Sequence, residues 1–263
     1  MTAVQWLEHE RYLAALDADT AALAEAVADG DPEARVPACP DWDLGALVRH
    51  TGTVHRWAFH IVDTRATERP GWDDLPDAEA PADGAGLARW FESGSRRLAA
   101  LLRERGPAEP VWGWAWERHT GFWARRMAQE TLVHRIDAEQ ATGRASAVDA
   151  DLAADNVDEL LHNATARGAR AFPNLKALAV TGAEPQEGDG TLHLHCTDTP
   201  GEWLLRRTAE GFAYDEGHAK GAAAVRGTAR ELLLWINRRG PAEVEVLGDT
   251  EVARLWSEGL VFD

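Results

Sequence analysis

Glu130 and His134 stand four residues apart in the run WARRMAQETLVHRIDAEQA, Trp123 to Ala141, where a helix places them one above the other. Trp123, Met127, Ala138 and Ala141 fall on the same stripe, so a carboxylate and an imidazole sit amid an apolar surface. An ionised Glu is rarely buried unless it is paired, protonated or bound to a metal. The pair therefore calls for a partner on another element. His50 is the natural one, because a helix from about Asp43 to Thr64 projects it between Leu47, Val54, Trp57 and Ile61, on one flank of the apolar arc. His50, Glu130 and His134 supply three N/O ligands and leave a tetrahedral Zn²⁺ one open position, the catalytic rather than the structural pattern. Imidazole also suits nickel, iron and copper, so the ligand types do not fix the metal.

Two further residues are candidates for supporting these ligands. Asp137, one turn beyond His134, is placed to orient its imidazole, with a surface ion pair as the competing reading. His55 lies on the opposite flank of the His50 arc, too far round one straight helix for both imidazoles to reach one ion; a core imidazole bonded to a carbonyl is its competing reading. No residue is singled out as acid, base or nucleophile.

The elements that must carry these side chains are legible as helices. Trp6, Leu13, Leu16, Leu23 and Val27 predict a first helix from about Gln5 to Ala28, ended by Gly30, Asp31 and Pro32. The two prolines of VPACPDW cannot continue a helix, and Asp41 or Asp43 caps the second. A polar loop, Arg69 to Gly84, leads to a third helix over about Gly86 to Glu104, and the fourth carries Glu130 and His134. Facing helices of such a bundle build metal sites in their core. After Gly143 the texture changes. A helix is expected over Asp149 to Arg167, then strands at Lys176 to Thr181, Leu192 to Cys196, Glu202 to Arg207, Gly211 to Asp215 and Glu243 to Leu247. Thr228 and Glu231 form a capping box for a helix over Ala229 to Arg239. The fold class is α+β, with a four-helix bundle over 1–147 and a smaller α+β domain over 148–263.

Composition narrows the function classes. A net charge of −17 argues against a general nucleic-acid binder, which needs a concentrated positive surface. Asp73, Asp74, Asp77 and Glu79 read as solvated loop. No apolar run is long enough to span a membrane, the polar start MTAVQWLEHERYL is no signal peptide, and a cytoplasmic location is expected. Cys39 and Cys196 form no disulfide framework and are expected to be reduced. Trp112, Trp114 and Trp116 belong to a cluster that fills a core or walls a pocket for an organic ligand. His193 and His195 share one strand face, but without a third ligand they read as a solvated edge, and His162 and His218 show no ligand spacing.

Three stretches carry a family resemblance. The runs VPACPDWDLGALVRHTGTVHRW and GFWARRMAQETLVHRIDAE, with TLHLHCTD, GEWLL, VRGTARELLLWINRRG and VLGD towards the C-terminus, resemble the maleylpyruvate isomerase family of mycothiol-dependent enzymes. The resemblance implies a DinB-like bundle followed by a sterol-carrier-like α+β domain, and metal ligation by His50, Glu130 and His134. It implies mycothiol as cosubstrate and an electrophilic small molecule as acceptor; charge and hydropathy, rather than the resemblance, speak against nucleic acid or a membrane as partner. A typical thiol is mostly protonated at neutral pH, and a divalent metal, Zn²⁺ first, would deprotonate it. Reversible addition to a conjugated double bond gives cis–trans isomerisation; a retained adduct makes the enzyme an S-transferase. Arg49, Arg56, Arg126, Arg135 and Arg226 are candidates for gripping an acidic substrate, and the sequence does not choose among them. The alternatives are a metal-dependent hydrolase that activates water, and a non-catalytic ligand-binding protein in which Glu130 and His134 are a buried pair.

Overall fold

Apolar periodicity and chain breakers set the helices of the first half in the computed structural model, which describes residues 6–72, 75–82, 84–180 and 190–260. Helices α1 (His9–Asp29), α2 (Leu44–Asp63), α3 (Gly84–Arg105) and α4 (Thr120–Ala141) make up the bundle. Asp43, rather than Asp41, caps α2 by accepting from the Ala46 amide at 2.7 Å. Leu13, Leu16, Leu23, Leu47, Ile61, Phe91, Leu98 and Ile136 are fully buried between the helices. Gly52 lets α2 approach α3, since a Cβ there would lie 2.2 Å from the Trp90 ring.

Helix α4 differs from the single stripe read in its sequence. It is buried almost all round, including Arg125, Gln129, Arg135 and Asp137, because it packs against α1, α2 and α3. Arg135 among them is paired inside the bundle, reaching Asp19 at 2.8 Å and Glu139 at 3.0 Å.

The chain divides into two compact units, Leu7–Ala147 and the part from Val148 on, to which Trp6 also belongs although the sequence places it on the first helix. The second opens with α5 (Ala150–Ala171) and carries a five-stranded sheet in the order β3-β2-β1-β4-β5. Its strands are β1 (Leu192–Cys196), β2 (Glu202–Thr208), β3 (Gly211–Glu216), β4 (Ala223–Gly227) and β5 (Glu245–Gly248). Pairing is antiparallel except between β1 and β4. Leu192, Leu194, Trp203, Leu205, Ala223 and Val225 form the buried face. It packs against α5, α6 (Ala229–Ile236) and α7 (Thr250–Gly259). Thr228 caps α6 through the Glu231 amide, as the capping box requires.

Three differences from the sequence reading have physical causes. The strand expected at Lys176 is a 3-10 helix, Pro173–Ala177, begun by proline, with Leu175 and Leu178 buried three residues apart; Thr181 lies outside the described residues. Strand β4 was not expected because AAVRG has little β-branched character, and its register comes from parallel pairing with β1. Helix α7 was missed although Asp249 caps it, accepting from the Glu251 and Val252 amides. Gln5, Asp73 and Asp74 lie outside the described residues. Among those described, no helix is long and apolar enough to cross a membrane.

Candidate metal centre

Helices α2 and α4 bring His50, Glu130 and His134 together. Glu130 Oε1 lies 3.1 Å from His50 Nε2 and 3.2 Å from His134 Nε2, and the three donor atoms fall within 4.8 Å of one another. The two rings meet edge to face, centroids 5.1 Å apart, so their nitrogens converge instead of stacking. Glu130 Oε2 is engaged by Arg126 one turn earlier, which leaves Oε1 to the imidazoles. Trp42 stands 4.7 Å from the His50 ring and 6.0 Å from that of His134, forming a wall beside the candidate ligands. His50 is the exposed member, with 37 % of its side chain accessible, and gives the site its opening.

Asp137 is fully buried, which removes the surface-ion-pair reading, and its Oδ2 lies 3.0 Å from His134 Nδ1. Donation from Nδ1–H to this carboxylate turns Nε2 towards Glu130 and leaves that nitrogen to ligate. Burial would raise the Glu130 pKa, but Arg126, then His134, outweigh it and hold the carboxyl well below its ordinary range. Burial likewise opposes the charge on His134, yet Glu130 and Asp137 overcome it and raise that pKa to about 9. The ionised Glu130 carboxylate thus accepts from the N–H groups of His50 Nε2 and His134 Nε2, and a divalent cation would take the place of these protons. Two neutral nitrogens, one carboxylate oxygen and a carboxylate behind one imidazole fit a metal of the zinc type.

His55 does not join them. It is fully buried, stacks on Phe91, and its Nε2 lies 2.8 Å from Thr131 Oγ1. The Thr131 hydroxyl donates to the Met127 carbonyl, so it must accept from His55, which fixes the proton on Nε2. Nδ1 has no hydrogen-bond partner among the described residues, and burial drives the pKa of His55 down to about 3. The unfolded chain takes up this proton below about pH 6.5 while the folded chain does not, so stability falls as pH falls through this window. We expect His55→Gln to remove about 2 kcal/mol of the stability lost between pH 7 and pH 5, as measured by urea unfolding of both proteins at both pH values. An unchanged pH dependence would refute the assignment.

The candidate arginines also separate. Arg126 is committed to Glu130, Arg135 to Asp19 and Glu139, and Arg56 to three backbone carbonyls and the Trp90 face. Arg49 and Arg226 are exposed, the latter 3.4 Å from Glu245. The tryptophan cluster is mostly a packed one. Trp57 stacks on Trp72 and meets Trp112 and Trp123 edge-on within a group that includes Trp114, whereas Trp116 is 65 % exposed.

Sequence comparison bears on the whole of this arrangement. Residues 13–139 match the mycothiol maleylpyruvate isomerase N-terminal domain, and residues 151–255 match the C-terminal domain of the same family. The chain belongs to the mycothiol maleylpyruvate isomerase family. Two solved structures share its fold: that of a mycothiol-dependent maleylpyruvate isomerase, with a TM-score of 0.56, and that of a histidine-to-alanine mutant, with 0.58. Each is 16 % identical in sequence, and each match covers 94 % of this chain and 95 % of the other. No curated protein matches the chain in sequence. In this family member the sequence reading missed Trp42 as a neighbour of the candidate ligands and Arg126 as the partner of Glu130. The second was signalled by the four-residue spacing of opposite charges on α4. The first had no local signal, because Trp42 reaches His50 and His134 only through the turn before α2.

Proposed function

We propose that His50, Glu130 and His134 hold a divalent metal, zinc in the first instance, and that the protein uses mycothiol to process an electrophilic small molecule. The observation that carries this reading is the convergence of two imidazole nitrogens and one carboxylate oxygen, with Asp137 behind His134. Bound there, a divalent ion supplies the means of holding a thiol as its thiolate at neutral pH. The protein does the rest. Asp137 holds the His134 ring in its ligating tautomer, Arg126 fixes the free oxygen of Glu130, and Trp42 excludes water from one side of the site. Half-exposed His50 marks the side from which a thiol and its acceptor enter.

The chemistry that follows is conjugate addition. A thiolate sulfur attacks one carbon of a cis double bond conjugated to a carbonyl, and the electron pair moves to the carbonyl oxygen. The carbon–carbon bond, now single, rotates, and expulsion of the thiolate restores the double bond as trans. Retention of the carbon–sulfur bond, with protonation of the carbanion, gives S-transfer instead. Maleylpyruvate, the substrate named for the structural relatives, is the first compound to test.

The zinc-loaded full chain is assayed with maleylpyruvate and other unsaturated keto acids, with and without mycothiol. We expect turnover only when the thiol is present. Turnover without thiol would overturn the reading in favour of metal-assisted hydrolysis. A protein that binds no metal would overturn it in favour of a ligand-binding role.

A further inference from the structure

A second set of ligand-type side chains lies on the face of the sheet opposite α5, α6 and α7. His193 and His195 alternate with Leu192, Leu194 and Cys196 along β1, so both imidazoles point away from the helices. Strand β1 is central rather than an edge, and His193 is buried, which corrects the solvated-edge expectation. Antiparallel pairing sets Glu202 of β2 directly across from His195. Beyond β3, Gly217 takes a φ of +112°, and its amide donates to the Glu202 carbonyl at 2.9 Å, which returns His218 over the same carboxylate.

The result is three imidazoles around one oxygen. Glu202 Oε2 lies 3.0 Å from His193 Nε2, 2.9 Å from His218 Nδ1 and 3.3 Å from His195 Nδ1. The rings are mutually near-perpendicular, at 89°, 87° and 83°, with one edge of each turned inward. The four donor atoms fall within 4.8 Å of one another. As a hydrogen-bond network this is poorly composed, because one carboxylate oxygen has two in-plane lone pairs for three donors. As a donor set for a cation it is complete.

We propose that His193, His195, Glu202 and His218 form a second divalent-metal site, suited to Zn²⁺ and structural in character. Four protein ligands close a tetrahedral zinc, whereas the three of the helical unit leave a position open. The ion would tie β1 and β2 to the segment after β3, and its binding free energy would add to the stability of the fold. The site stands independently of the reading of His50, Glu130 and His134.

The test is zinc content of the full chain after removal of metal with EDTA, reloading with zinc chloride and desalting. Wild type, Glu130→Ala, His195→Ala/His218→Ala and the triple combination are compared. We expect about two, one, one and no zinc ions per chain, with zinc raising the melting temperature of Glu130→Ala. Wild-type zinc content in His195→Ala/His218→Ala would overturn the proposal. If only Glu130→Ala fails to lose an ion, the function proposed above falls and this site stands. His218 is 80 % exposed, so His218→Ala alone is expected to leave the fold intact, which circular dichroism checks. We expect it to weaken zinc binding to the Glu130→Ala background at least about tenfold in competition with a chelator, the loss that even an outer partner of a ligand produces. Unchanged affinity would overturn the proposal equally.

Discussion

Glu130→Gln is expected to strip the metal from the helical unit and to abolish thiol-dependent turnover while the helices remain folded. Glutamine keeps the size of the side chain and can still meet the imidazoles, so packing around α4 changes little. What it removes is the negative charge that lies 3.1 and 3.2 Å from the two nitrogens and holds His134 in place. Without the ion, a thiol with an ordinary pKa near 8.5 is present as thiolate only to a few per cent at neutral pH. We expect kcat/KM to fall by at least about a hundredfold, equivalent to about 2.7 kcal/mol of transition-state stabilisation. Asp137→Asn should act in the same direction but more weakly, about 10- to 100-fold in metal affinity, because it touches the ion only through His134. Zinc analysis, circular dichroism and the thiol assay on the same preparations separate lost chemistry from lost fold. Full metal content and full turnover in Glu130→Gln would remove the basis of the proposed function.

How far the sequence carried depended on whether the information was local. The four bundle helices, the Asp43 and Thr228 caps and the Glu130–His134 pair are written in residues within a turn or two of one another, and each was legible. His50 could be matched to that pair because a polar residue beside an apolar arc is conspicuous wherever it occurs. The partners that set the chemistry of the site were harder. Asp137 was visible by spacing, but its burial was not, since it follows from α4 being packed on every side. The histidine cluster was the least legible. His193-x-His195 was visible, but Glu202 arrives by strand register and His218 by a glycine turn after β3, across more than twenty residues of intervening chain. Strand β4 depends in the same way on its neighbours, as a run rich in alanine acquires strand geometry only when β1 supplies hydrogen bonds.

That dependence makes the sheet sensitive to one residue that joins it to a helix. Trp203 on β2 is fully buried, and its indole N–H donates to Asp158 Oδ1 of α5 at 3.1 Å. Tyr214 of β3 reaches the same oxygen at a longer 3.4 Å. Trp203→Ala removes the largest side chain of the buried face and withdraws a donor from a buried carboxylate, so cavity and desolvation costs act together. We expect a loss of about 3–5 kcal/mol, comparable with much of the net stability of an ordinary domain. Trp203→Phe restores most of the volume and none of the hydrogen bond. It should cost about 1–3 kcal/mol, the penalty of a buried polar group short of one partner. Urea unfolding of the three proteins distinguishes the two contributions. Equal losses in Ala and Phe would mean that the Asp158 bond dominates, whereas a Phe variant as stable as wild type would mean that packing alone fixes α5 against β2. Since His193, His195 and Glu202 stand on the opposite face of the same strands, zinc bound there should offset part of the Trp203→Phe loss, because a ligand that binds only the folded sheet favours it by mass action.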